Sequence, residues 1–525
     1  MNNQVNRRNF LKLSATAGAA LAFAPAGIYA KETGNNNNIF SSGTPESVGI
    51  PSSAILAFLR LLRDRRVDLH SIMMIRHGKI AVEGYFAPFN REQKHRLYSV
   101  SKSITALGIG RMVTEGKLSL DERIADHFPD LAGNNLHPWL ASATVRHMLM
   151  MAGPYSGSPY GVRDNPWLVR WFRSEPDHPP GMISMYDTMC TNLLCALMER
   201  RVGKPFLEYL RPVFDELGVS EDIWCIRMPE GYSWGGSGVM GTPLDMAKIA
   251  YLFMKEGVVN GKTLIDPGYI REAVSPLMSN HANNRDPEMM QGYGYQIWRT
   301  RNNSFSFVGM GSQLATCIAD KDFILAITAD TQGMDTGNAD ILNAFWNIVY
   351  PRLSDVPLPD DKESLDAINL FFKDAKLLVV DGALNSPIAS RISGKTYRMR
   401  PNPAGITDVR FEMYHGRCIL HYTNERGAKI IPFGFGENIP SVFPETHYFG
   451  DQIGTPKKAG YKMNVSGAWM NENTLYIHVR LTDDYLGSLV INATFSGNDI
   501  AILFVPSAEA IFYEYRGFAI GACVN

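Results

Sequence analysis

The chain is poor in several things that would have assigned it early. It has six cysteines in 525 residues (Cys190, Cys195, Cys225, Cys317, Cys418 and Cys523), with no C-x-x-C pair and no Cys/His cluster at zinc spacing. That excludes a disulfide scaffold and a zinc-ribbon module, and the six read as buried thiols. An excess of either charge is also missing, with 51 Lys and Arg against 52 Asp and Glu. No nucleic-acid footprint and no acidic partner-binding tail are expected from such a balance, so a small-molecule or peptide substrate fits better. Long apolar runs are absent too, because the N-terminal one, Leu13 to Pro25, is shorter than the roughly 20 residues that span a bilayer and contains Gly18. Stable membrane insertion is therefore not expected. No internal repeat is found, which removes solenoids and propellers. What remains is 45% hydrophobic and 20% charged, an ordinary globular balance, at a length that suggests two or three domains. The oligomeric state is not readable.

The N-terminus is of another kind. Asn6-Arg7-Arg8-Asn9-Phe10-Leu11-Lys12 precedes an Ala-rich apolar stretch that ends at Ala30. Residues 1–30 resemble a twin-arginine export signal, which implies a periplasmic or secreted protein. Its removal takes Arg7, Arg8 and Lys12 and moves the formal charge from −1 to −4. Residues 31–50, with four Asn at 35–38, are expected to be a disordered lead-in.

Beyond it, Ser71 to Glu83 holds two apolar stretches around His77-Gly78-Lys79, a hairpin signal. Apolar residues at Ile104, Leu107, Ile109 and Met112 predict a buried helix over Ser101 to Glu115. Helical patterns recur at Cys190 to Arg200, Pro205 to Phe214 and Pro243 to Glu256, whereas Gly292 to Thr300 and Phe323 to Ala329 read as strands. Three prolines in 351–359 mark a linker, assigned to 351–362, between a unit at 51–350 and a C-terminal one at 363–525. The latter opens with an amphipathic helix near Ser364 to Leu377. It continues in short strands (Val409 to Met413, Cys418 to Tyr422, Leu475 to Leu481, Ser488 to Phe495, Ala501 to Phe504, Ala510 to Tyr515), which predicts a sandwich or barrel.

Covalent hydrolysis needs a nucleophile beside a base, and residues three apart on a helix share a face. Ser99-Val100-Ser101-Lys102 supplies that pair at the start of the buried helix, where backbone donors favour developing negative charge. Ser101 has no Lys three residues on and is a decoy.

The run His95-Arg96-Leu97-Tyr98-Ser99-Val100-Ser101-Lys102-Ser103-Ile104-Thr105, followed by Glu115-Gly116-Lys117-Leu118-Ser119-Leu120-Asp121, resembles the β-lactamase-related serine hydrolases. Supporting matches are Arg76-His77-Gly78-Lys79, Thr144 to Met150 with Gly153, and Gly235-Gly236-Ser237-Gly238 leading to Thr242-Pro243-Leu244-Asp245. They cover about Ser71 to Ala329. Class C β-lactamases, D-alanyl-D-alanine peptidases, esterases and 6-aminohexanoate-dimer hydrolases belong to that group. The resemblance implies an α/β fold, with an antiparallel sheet flanked by helices plus an all-helical lobe, here followed by the smaller mostly-β domain.

It also implies roles. The family's Tyr-x-Asn element corresponds to Tyr186-Asp187-Thr188, with Tyr186 as proton relay and Thr188 standing where an Asn usually contacts the substrate. A literal Tyr422-Thr423-Asn424 lies at an apparent strand end and reads as coincidence. The family's third element, Lys-Thr-Gly or His-x-Gly, corresponds to Val308-Gly309-Met310-Gly311-Ser312-Gln313, which carries no cation and is similar to the Gly-x-x-Gly-Gln arrangement of the dimer hydrolases and esterases. Gly309, Met310, Gly311, Ser312 and Gln313 are then oxyanion or substrate-binding candidates, the oxyanion being held by the backbone of Ser99 and of a Gly311 to Ser312 strand. No metal or organic cofactor is required.

The expected activity is cleavage of an ester or amide through an acyl-enzyme. A D-amino-acid peptidase or β-lactamase, and a catalytically silent binding protein on the same scaffold, stay open. His77 and His147 read as structural, Asp187 as an exposed loop acid, and Met150-Met151 with Trp167 and Trp171 as core.

Overall fold

Phe323–Ala329 (FILAITA) and Leu69–Arg76 (LHSIMMIR) are apolar at most positions, the pattern of strands covered on both faces. In a computed structural model, which describes residues 39–159, 166–334, 336–445, 460–483, 486–507 and 515–524, both strands are buried throughout and lie side by side. The sheet they form runs Ser41–Ser42, Lys79–Tyr85, Leu69–Arg76, Phe323–Ala329, Gln313–Ile318, Ser304–Gly309, Trp298–Thr300 among the described residues, with only the first pair parallel. Alternate side chains serve opposite faces. Phe323, Leu325 and Ile327 pack with helices Ser52–Asp64 and Gly337–Ala344, and Ile324 and Ala326 with Val100–Thr114 and Pro243–Met254.

The predicted hairpin turns at His77 and Gly78, both in the left-handed region that two-residue turns require (φ 52° and 70°). The predicted helices are found at Val100–Thr114, Thr188–Val202, Phe206–Leu217 and Pro243–Met254. Thr188–Val202 and Phe206–Leu217, with the shorter Val145–Leu149 and Trp167–Arg173, build the helical lobe. The strand expected over Gly292 to Thr300 forms only at Trp298–Thr300, because Gly292 and Gln296 sit at φ 105° and 61° and break the extended backbone. Residues 39–50, expected to be disordered, are ordered: Ser41–Ser42 pairs with Lys79 and Ile80, and Phe40, Val48 and Ile50 are buried. The signal at 1–30, residues 31–38 and most of the predicted strand Ala510 to Tyr515 (508–514) lie outside the described residues.

The amphipathic helix after the Pro-rich stretch spans Lys362–Lys373. It packs on the first sheet rather than on the C-terminal strands: Ile368 and Phe372 are buried with Ile55 and Leu59 of Ser52–Asp64. The Phe372 ring lies over Gly84, where a Cβ would come within 2.0 Å of it. Beyond it, strands from Thr396–Met399 to Gly517–Cys523 form a meandering sheet. Gly434 and Phe435 pair in parallel with Ser466 and Gly467, which closes the sheet into a β-barrel filled by residues such as Phe411, Phe433, Val465 and Ile477. Tyr422 lies inside it with its hydroxyl on that of Tyr515, 2.7 Å away, so the Tyr422-Thr423-Asn424 match belongs to barrel packing. No helix among the described residues is long and apolar enough to cross a membrane.

Candidate active site

Ser99 is the N-cap of Val100–Thr114, and its side chain makes no capping hydrogen bond, which leaves the hydroxyl available. The turn that presents it is tight. Tyr98 adopts φ 47°, and the Val100 and Ser101 amides close on the carbonyls of Leu97 and Tyr98 at 3.1 and 3.0 Å. A non-glycine residue in the left-handed region is strained and must be held by its surroundings. Here Arg96 stacks its guanidinium over the Tyr98 ring at 4.6 Å and over Trp234 at 4.8 Å, and its Nε donates to the Ser237 carbonyl at 3.2 Å. The decoy Ser101 is buried, its hydroxyl accepting the Val239 amide at 3.0 Å.

One turn on, Lys102 is 1% exposed and donates to Ser99 Oγ at 3.0 Å and to the Gly236 carbonyl at 2.6 Å. Burial pushes its ammonium down to about 7, against a smaller opposing pull from Asp187 and Cys190. A substantial neutral fraction therefore exists near pH 7, within reach of the Ser99 proton. The Tyr186 hydroxyl lies beside the Ser99 side chain, and its ring centroid is 5.0 Å from Lys102 Nζ. The residue is 40% exposed, but burial around its hydroxyl raises the phenol above its ordinary value against a smaller opposing pull from Ser99, so it stays protonated and able to donate. Its ring leans on Trp298 at 5.4 Å and Tyr293 at 6.2 Å.

Asp187 differs from its expectation. It is buried, caps Thr188–Val202 by accepting the Met189 amide at 2.8 Å, and takes a hydrogen bond from Ser158. Helix capping, not loop exposure, explains an acid at that position.

Thr188 and Asn192, four residues apart on the same helix face, both meet Gly236. A Cβ there would lie 2.6 Å from Thr188 Cγ2 and 2.7 Å from Asn192 Oδ1, which accepts the Gly236 amide at 3.2 Å. Glycine is thus needed for the chain to bring its carbonyl onto Lys102. Sequence reasoning missed Asn192; a buried Asn in an otherwise apolar helix, one turn after the Thr that replaces the family's Asn, is the signal that could have found it.

The third element divides. Gly309 ends Ser304–Gly309, pairs with Gln313, and backs onto the nucleophile turn so closely that a Cβ would sit 2.3 Å from the Leu97 carbonyl. Met310 comes next at 45% exposure. Gly311 and Ser312 are the hairpin turn, not a strand, with φ 76° and 68°. The Ser312 hydroxyl is engaged at 2.7 Å with both Thr331 and Asn338, and Gln313 donates its amide to the carbonyls of Met310 and Ala329 at 3.2 and 2.7 Å. Those two side chains fasten the turn. Gly309 is the residue of the segment that meets the turn before Ser99. His147 completes a capping box at Thr144, and Trp167 and Trp171 are fully buried core.

Residues 60–344, more than half of the chain, match the family model described as Beta-lactamase, and residues 4–24 match a TAT (twin-arginine translocation) pathway signal sequence, so the protein is exported to the periplasm or beyond. A 6-aminohexanoate-dimer hydrolase of Paenarthrobacter ureafaciens is 21% identical over 263 residues, 46% of this chain and 67% of that one. Among solved structures, a penicillin-binding protein homologue from Caulobacter crescentus aligns at 18% identity and TM-score 0.47 over 58% of this chain and 99% of that one. An octameric penicillin-binding protein homologue from Pyrococcus abyssi aligns at 15% identity and TM-score 0.42 over 89% and 99%. Through residues 60–344, which hold the sheet and the helical lobe, the chain belongs to the Beta-lactamase family.

Proposed function

We propose that the exported protein is a serine hydrolase that cleaves an ester or a linear amide through an acyl-enzyme, with Ser99 as nucleophile, Lys102 as base and Tyr186 as proton relay. The observation that carries this reading is the buried Lys102 amine, lowered to about 7 and 3.0 Å from Ser99 Oγ. Neutral Lys102 takes the hydroxyl proton as Ser99 Oγ attacks the carbonyl carbon. The tetrahedral oxyanion is held by backbone N–H groups, for which Ser99 and Met310, the residue after the strand that backs onto the Leu97 carbonyl, are the candidates. As the intermediate collapses, Tyr186 passes a proton to the leaving oxygen or nitrogen and is reprotonated from Lys102. Water then attacks the acyl carbon as it gives a proton to Lys102, the Ser99 Oγ–acyl bond breaks, and Lys102 returns the proton to Ser99 Oγ as the acid leaves.

The absence of a cation at Gly309-Met310-Gly311 favours esters and linear amides over β-lactams, whose carboxylate a cation there would pair. The test is intact-mass labelling of the mature protein with a fluorophosphonate. One adduct on Ser99, lost in Ser99→Ala at unchanged thermal midpoint, is expected. Stoichiometric labelling of Ser99→Ala would refute the assignment.

A further inference from the structure

Helix Ser52–Asp64, helix Lys362–Lys373 and the segment 375–379 line a half-open cavity of about 680 Å³, well within the range of small-molecule sites. Its walls are apolar, from Leu56, Leu59, Phe86, Leu370, Phe371 and Leu377, and its polar lining is mainly cationic, from Arg60, Arg63, Arg66 and Lys376. The two acids that line it offset this only in part. Asp68 is already 2.6 Å from Arg480 Nε and accepts the Leu378 amide at 3.1 Å, and Asp374 is exposed. Arg66 reaches Asp381 at 2.9 Å, and Arg63 lies 5.5 Å from the Phe371 ring centroid. Arg60 and Lys376 have no acidic partner among the described residues.

An apolar chamber with two uncommitted cations on its lining suits one chemistry: a linear alkyl chain buried against the leucines and phenylalanines, with a single anionic head held by guanidinium and ammonium. We propose that this cavity binds an anionic single-chain amphiphile, a fatty carboxylate or an alkyl phosphate, at a site separate from the hydrolytic one. Nothing in the proposal depends on Ser99. The walls come from both sides of the Pro-rich stretch, so an occupant joins the helix after that stretch to the helix that begins the sheet domain.

Calorimetric titration of the full mature chain with dodecanoate and with monododecyl phosphate, both below micelle formation, tests it. Saturable one-to-one binding is expected, and the tighter of the two identifies the head group. Dodecanol and dodecyltrimethylammonium should bind at least about tenfold more weakly, since each loses or reverses a charge-assisted hydrogen bond. Arg60→Glu with Lys376→Glu should weaken dodecanoate by a similar factor or more. So should Leu370→Glu, made at a position 60% exposed and hence tolerant of charge. All these positions lie on exposed surface, so equal binding by the variants would place the ligand elsewhere and overturn the proposal. No binding of either anion by the native chain, or equal binding of the cationic amphiphile, would do the same.

Discussion

At the scale of single residues, the proposed chemistry turns on one amine. With Lys102 lowered to about 7 by burial, the neutral fraction grows about tenfold per pH unit below that value and saturates above it. Tyr186, raised by burial, stays protonated through the same window and adds no second limb. The rate of fluorophosphonate acylation should therefore climb from pH 5 to about 7 and then level off. Continued tenfold rises toward pH 10 would mean that the amine keeps its ordinary value and the proposed base is wrong. Lys102→Arg should lose acylation, because a guanidinium does not deprotonate. Met310, 45% exposed beside Gly309, is where a cation would serve a β-lactam carboxylate, so Met310→Lys should shift the rate ratio of a chromogenic cephalosporin to a p-nitrophenyl ester upward by about tenfold. That Ser99, Lys102 and Tyr186 come together was legible because local helix spacing and the family resemblance both place them at one site. The Gly236 carbonyl and Asn192 were not, since each acts through a contact between segments more than forty residues apart.

Among elements, the strands and long helices were legible wherever the apolar period ran unbroken, as in Phe323–Ala329 and Val100–Thr114. They were not where a left-handed residue interrupts an apolar run, as at Gln296, or where a polar segment is bound to a sheet edge, as at Ser41–Ser42. The Gly235–Gly238 segment shows how an element without regular structure can still govern the site. Gly236→Ala would force the backbone away from Thr188 and Asn192, and with it the carbonyl on Lys102. Misplacement by about 1 Å costs on the order of a hundredfold in rate, so labelling of the folded variant should fall by that factor, alongside the roughly 1–3 kcal/mol loss of stability that overpacking brings. An unchanged labelling rate would show that Lys102 is held by other means. The strand His95–Arg96 leading to Ser99 makes a second prediction. His95 is buried against Phe89 and near His70, and burial lowers it to about 4. A folded-state value below the unfolded one means the unfolded chain binds the proton first. Stability should accordingly fall as pH drops from about 6.5 to 4, by about 3 kcal/mol from this residue. His95→Phe should flatten that part of a pH series of thermal midpoints, and an equally steep series would assign the effect elsewhere.

Across the whole molecule, the linker composition at 351–359 suggests two separable units, yet the contacts run through it. Phe372 covers Gly84, and Leu377 donates its amide to Ala87 at 3.0 Å while packing with Phe89 and Tyr98, the strained residue before Ser99. A chain ending at residue 360 loses both, and it should be insoluble or unlabelled by a fluorophosphonate. The barrel itself is joined by charge. Strand Thr474–Thr482 sends Arg480 to Asp68, Nε to Oδ2 2.6 Å, with both side chains less than a tenth exposed. Gln93, in the loop before His95, donates to the Thr482 carbonyl at 2.8 Å beside it. A third group shares the pocket: Asp330, at the end of the central strand, is raised mainly by burial, with Asp68 adding to that and Arg480 opposing it. Breaking a buried pair by removing one partner strands the other charge at about 3–5 kcal/mol, whereas removing both charges costs far less. Arg480→Met should therefore lower the thermal midpoint sharply, since it leaves Asp68 and Asp330 facing each other without a cation. Adding Asp68→Asn should restore much of the loss, giving a coupling energy of at least about 2 kcal/mol in a double-mutant cycle read by denaturant unfolding. If barrel and sheet domain were independent, the two substitutions would add, and the single Arg480→Met change would melt the barrel while fluorophosphonate labelling of Ser99 persisted at the native rate.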